Sequence, residues 1–93
     1  MTDDEKIRRG ERAHALMTDP LMVEAYEAVE TALIDRWRAC PDQAERERIW
    51  LSQALLRKLW GHLEHVVATG KIAKKDLDDL LAEERRRKRF RLV

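Results

Sequence analysis

The sequence predicts an all-α fold built on a long antiparallel helical hairpin, and three observations carry that expectation. Apolar residues recur at three- and four-residue steps through most of the chain, and no stretch alternates in the two-residue rhythm of a strand. The two prolines, Pro20 and Pro41, fall between the periodic segments. The hairpin arms are expected at about residues 20–39 and 42–69, with shorter N- and C-terminal helices outside them. A length of 93 residues suits one domain, expected over residues 1–84, followed by a basic C-terminal tail over 85–93.

The first helix, about residues 3–17, is expected to open on Asp3 or Asp4, whose carboxylates suit the electropositive start of a helix. Ile7, Gly10, Ala13, His14, Leu16 and Met17 give it only a thin apolar stripe, which predicts a weakly held element. Thr18-Asp19-Pro20 is a stronger signal. Asp19 can cap exposed backbone N–H groups while Pro20 takes a first-turn position that needs no N–H partner. The second helix then shows Met22, Tyr26, Val29, Leu33, Trp37 and Cys40 as one stripe, widened by Ala25, Ala32 and Ile34.

Cys40-Pro41-Asp42 breaks that helix, and Asp42 with Glu45 resembles a capping box for the third. Ile49, Leu56 and Leu63 form one apolar row there, Leu55, Leu59 and Val66 another, with Trp50, Trp60 and Val67 beside them. An apolar face that wide predicts contact with more than one neighbour. Gly61 costs about 1 kcal/mol relative to alanine inside a helix, which a close backbone approach would explain. Thr69-Gly70 is expected to end this helix, glycine supplying a left-handed cap, with a fourth helix following over about residues 74–88. In that last segment the apolar stripe of Leu77, Leu80 and Leu81 stops and only charge continues.

Composition narrows the function classes. Apolar residues make up 44% and charged residues 40%, which suits amphipathic helices with solvated outer faces. The net charge of +1 conceals an uneven layout. Six of the nineteen basic residues, Arg85, Arg86, Arg87, Lys88, Arg89 and Arg91, lie in the tail, leaving thirteen against eighteen acids elsewhere, a formal −5. Cys40 is the single cysteine, so no intrachain disulfide can form and a reducing compartment is expected. No apolar run approaches the roughly 18–20 residues of a membrane span, and MTDDEKIRRG is too polar and acidic to open a signal peptide. The expectation is a soluble cytoplasmic protein with no membrane contact.

Chemistry-bearing patterns are sparse. His62 and His65 stand three apart in HLEH, a spacing that could chelate a metal with ligands such as His14 or Glu64, but it is not HExxH and both flank an apolar row. Cys40 reads as a small apolar cap of the hairpin more readily than as a nucleophile, since no His or Asp partners it nearby. Carboxylates are interleaved with Arg, as in ERER at 45–48, and neither Ser52 nor Thr69 sits in a nucleophile-elbow pattern. The expectation is therefore no enzyme activity, no cofactor and no metal. Tyr26, Trp37, Trp50, Leu56, Trp60 and Leu63 are the expected oligomer or partner interface, aromatic residues being favoured anchors. The six tail cations are the expected contact with DNA or a motor protein, and each phosphate neutralised would add a salt slope of about −0.7 to −0.9. Phe90 could stack on one base.

The stretch RGERAHALMTDPLMVEAYEAVETALIDRWRACPD, followed by ERERIWLSQALLRKLWGHLEHVVATGKIA, covers about residues 9–73. It resembles small helical proteins encoded by tailed bacteriophages and prophages near their head and DNA-packaging genes. The resemblance lies in an RG-x-x-A-x-x-L start, a D-P-L before an acidic helix, a D/E-R-E-R-x-W entry and an H-L-E-x-V-x-x-T-G-K exit. Among such proteins the chain is similar to the small terminase subunit, a short helical DNA-binding adaptor that forms rings and regulates the large packaging motor. This chain departs from that pattern in lacking a DNA-binding helix-turn-helix at its N-terminus. The resemblance implies a homo-oligomer in a bacterial host cell, a possible large packaging-motor partner and weak, sequence-independent DNA binding. A different class is also open, a phage-encoded inhibitor of a bacterial defence complex whose acidic helix faces, including Glu24, Glu27 and Glu30, imitate nucleic acid.

Overall fold

The computed structural model describes residues 1–92, with side chains described through Phe90, so the side chain of the tail's Arg91 lies outside the described residues. The described residues are helical nearly throughout, in three elements: α1 (Asp3–Thr18), α2 (Pro20–Ala39) and α3 (Gln43–Leu92). Both expected breaks occur, and each is made by local chemistry. Asp19 is extended, with φ −65° and ψ 123°, and its Oδ1 accepts from the Met22 N–H at 3.0 Å while Pro20 opens α2. At the second break Asp42 Oδ2 accepts from the Glu45 N–H at 3.2 Å. Only half of a capping box forms there, because the Glu45 carboxylate reaches Arg36 at 3.3 Å instead. Thr2, one residue earlier than expected, caps α1 by accepting from the Glu5 N–H at 3.2 Å, and Asp3 and Asp4 fill the first turn.

The third expected boundary is absent. No helix ends at Thr69-Gly70 and no separate fourth helix begins at Lys74; α3 runs unbroken for 50 residues. Gly70 has no left-handed φ. It is buried against Gly10 of α1, and a Cβ added to it would stand 2.9 Å from the Lys6 carbonyl oxygen and 3.0 Å from the Gly10 Cα. The glycine thus serves a backbone-to-backbone crossing in place of a cap. Gly61, where the sequence suggested such an approach, has nothing within 4 Å of the position a Cβ would take.

Contacts between the N-terminal arm and α3 follow an inverse order. Arg36 meets Glu45, Trp37 meets Arg46, Tyr26 meets Trp60 and Gly10 meets Gly70. As residue numbers fall along α2 and α1, their partners rise along α3. Helix α1 is held by a close backbone approach, contrary to the weak hold its thin stripe suggested: Gly10, Ala13, Gly70 and Ala73 are buried around the crossing. Small residues there let the two backbones approach.

The resulting body is a rod. Its extents are 77 × 25 × 18 Å, and 50 residues at about 1.5 Å each account for the long axis. The radius of gyration is 21.3 Å, against about 12 Å for a compact chain of this length. Among the described residues three apolar side chains are buried, those of Ala13, Ile49 and Ala73, and no large side chain is fully enclosed.

Candidate interaction surfaces

The residues that the sequence marks as an interface divide into two groups. Tyr26, Leu56, Trp60 and Leu63 are half-buried in the inner face of the rod, with the Tyr26 and Trp60 rings tilted at 40° and 4.5 Å between centroids. That separation is within the range of favourable aromatic pairs, so this pair joins α2 to α3. Trp37 and Trp50 lie outside, near the turn. They line one open depression with Pro41, Gln43, Arg46 and Glu47, and the Arg46 guanidinium sits 4.2 Å from the centroid of the Trp37 ring, a cation–π contact. Trp50 is 61% exposed.

The apolar faces are also rotated from their expected setting. On α2 the inward residues are Val23, Tyr26, Glu30, Leu33 and Ile34, whereas Met22 and Val29 face solvent. On α3, Ile49, Leu56, Trp60 and Leu63 turn inward, and Leu51, Leu55 and Leu59 form a separate row at four-residue steps, exposed by 55%, 59% and 64%. Four-residue spacing sets these three side chains one above another on a single ridge. The sequence spacing places Leu55 and Leu59 in a row with Val66 and leaves Leu51 out, and which part of the wide stripe would be covered depended on how many neighbours α3 received.

Past Leu77, every described residue of α3 is exposed. Arg85, Arg86, Arg87, Lys88 and Arg89 project there, with Arg87 paired to Glu83 at 3.4 Å, an i, i+4 pair along the helix. The tail is thus a helical extension continuous with the body.

The remaining candidates have ordinary structural settings. Cys40 is half-buried, with Sγ 3.6 Å from the Asp42 carbonyl oxygen. Ser52 Oγ donates to the Arg48 carbonyl at 3.0 Å. His62 and His65 line a groove of about 320 Å³ between α1 and α3, and their nearest charged companions in it are Lys6 and Arg9, which disfavour a cation. Among the described residues no group of three or more His, Cys, Asp or Glu is placed to hold a metal ion, and no helix is long and apolar enough to cross a membrane. No protein-family model, curated protein or solved structure matches this chain.

Proposed function

We propose that this chain is a non-enzymatic assembly adaptor of a tailed-phage DNA-packaging system, similar in role to a small terminase subunit. In this reading the long antiparallel hairpin of α2 and α3 self-associates, and the basic end of α3 contacts DNA or the packaging motor. The supporting observation is the exposed row Leu51, Leu55 and Leu59 on a rod that buries so little of its apolar surface alone. Full burial of a leucine is worth about 1.5–3 kcal/mol, so covering the exposed part of each would contribute about 1 kcal/mol. A partner face that covers the row, with Trp50 and Val29 as further exposed apolar groups, completes in trans the core that a rod cannot complete in cis.

Light scattering coupled to chromatography tests the self-association. The expected result at about 0.5 M salt, where exposed ion pairs are screened, is an oligomer that dissociates on Leu55→Glu with Leu59→Glu; a wild-type chain that stays monomeric at every concentration would sink the adaptor. Fluorescence anisotropy with a DNA duplex tests the tail, and binding should be weak, indifferent to sequence and steeply salt-dependent.

A second reading, from a different class, is a host-interaction protein that imitates nucleic acid. It is favoured by α2, where Glu24 and Glu27 are exposed on a stretch, residues 18–35, that holds five acids and no base. Glu30 is half-buried, so the imitation would rest chiefly on Glu24, Glu27 and Asp35. Charge reversal of these acids should then release a purified nucleoprotein target while leaving oligomeric mass unchanged.

A further inference from the structure

Charge on this chain is separated over a distance that the rod cannot close. Of the acids in residues 18–35, Asp19 is engaged as the cap of α2, and Glu24, Glu27, Glu30 and Asp35 have no ion-pair partner among the described residues. Glu24, Glu27 and Asp35 edge a shallow, open depression of about 820 Å³ along α2, whose lining includes Val23, Ala28 and Ala32. At the far end of α3, among the described tail cations, Arg85, Arg86, Lys88 and Arg89 are exposed and unpaired, and Phe90 beside them is 82% exposed.

These two surfaces match in charge and in composition, yet they cannot meet within one molecule. The Tyr26–Trp60 stack sets the acidic face beside the middle of α3. Arg85 stands 25 residues beyond Trp60 on an unbroken helix, about 37 Å away at roughly 1.5 Å per residue. Helix α1, fixed at the Gly10–Gly70 crossing, occupies the length between.

We infer that the basic end of α3 docks on the acidic outward face of α2 in a second copy of this chain. The dimensions agree: residues 24–35 span about 17 Å of helix and residues 83–92 about 14 Å. Phe90 then has an apolar floor to cover, and Arg85, Arg86, Lys88 and Arg89 have carboxylates to pair with. The contact is heterologous, because one copy supplies its tail and the other its α2. The copy that supplies its tail keeps its α2 face free and the other keeps its tail free, so repetition closes a ring or extends a filament. Exposed ion pairs are individually weak and screened by salt, so the contact depends on several acting together and weakens as ionic strength rises. This inference deepens the adaptor reading and rests on it only in taking the chain to self-associate; the leucine row is a separate contact whose hydrophobic character makes it persist in salt.

The test is sedimentation of three full-length chains, with far-UV circular dichroism confirming that each keeps its helix content. One carries Arg85→Glu, Arg86→Glu, Lys88→Glu and Arg89→Glu; another carries Glu24→Lys, Glu27→Lys and Asp35→Lys; the third carries both sets. Wild-type association attributable to this contact should fall at least about tenfold between about 0.05 and 0.5 M salt. Each single set should abolish that salt-sensitive part, whereas an equimolar mixture of the two reversed chains, and the chain carrying both sets, should regain it. Mixed chains that ignore one another would overturn the inference, as would tail reversal that removes DNA-duplex binding while leaving self-association untouched. A wild-type chain that associates at low salt and is monomeric at about 1 M would sustain this contact and sink the leucine-row oligomer; association indifferent to salt would do the reverse.

Discussion

The two ways in which α3 holds its neighbours differ in kind. Against α1 it presents Gly70 and Ala73 to Gly10 and Ala13, and a Cβ at either glycine would lie within about 3.0 Å of opposing backbone. Against α2 it stacks Trp60 on Tyr26, large side chains at 4.5 Å between ring centroids, with Leu33 and Ile34 of α2 half-buried and Ile49 of α3 buried. The first contact is steric and admits almost no substitution; the second is apolar burial with room to adjust. A thin stripe of small residues can therefore hold a helix more closely than a broad stripe of large ones, provided both partners are small at the same point.

The sharpest way to break this contrast is Gly70→Leu. A side chain there meets the Lys6 carbonyl and the Gly10 backbone, neither of which can rotate away, so α1 must lift from α3. We expect a loss of about 3 kcal/mol, the upper range of overpacking, read as a lower urea midpoint at fixed protein concentration. Amide exchange in residues 3–18 should rise at the same time. If exchange stays slow, the crossing is not what holds α1.

Trp60→Ala tests the other contact and should cost about 2 kcal/mol, less than the about 3–5 of a fully buried tryptophan because Trp60 is only half-buried. Its effect should fall on α2 and leave amide exchange in α1 nearly unchanged. Gly61→Ala should move stability the opposite way, raising it by up to about 1 kcal/mol, since it relieves the helix cost of glycine and meets nothing within 4 Å. A destabilised Gly61→Ala chain would mean that another molecule approaches there. The smallest effect belongs to Arg36→Ala. Its ion pair with Glu45 is exposed on both sides, and the loss should stay below about 0.5 kcal/mol and shrink further in salt.

What could be read in the residues and what could not follows the same division. The helical character, the break at Asp19-Pro20 and the break at Cys40-Pro41-Asp42 were legible because each is a local matter of a missing N–H, a restricted φ and a nearby carboxylate. The inward face of α2 was placed correctly at Tyr26, Leu33, Ile34 and Cys40 and one position off at Val29, which is outside while Glu30 is half-buried, because the stripe is wide enough to satisfy either setting and α3 chooses between them. Among the candidate interface residues, Tyr26, Leu56, Trp60 and Leu63 were used up inside the rod and Trp37 and Trp50 lie outside it, while the exposed row Leu51, Leu55 and Leu59 was not among the candidates. Nothing in the spacing of α3 alone separates those outcomes.

Gly70 shows why. By itself a glycine after Thr69 is equally suited to a left-handed cap and to a close crossing, since both use the missing Cβ. Only the arrival of Gly10 opposite it selects the second and keeps α3 continuous to Leu92. That continuity also governs the charges. An acidic body and a basic end are facts of the sequence, and on a chain that bent at Gly70 they could have neutralised one another internally. The unbroken helix holds them tens of ångströms apart, because a rod of about 1.5 Å per residue cannot fold back on itself without giving up its backbone hydrogen bonds. Sequence determined which charges exist and where helices start; tertiary contact decided that the opposite charges face outward, toward other molecules.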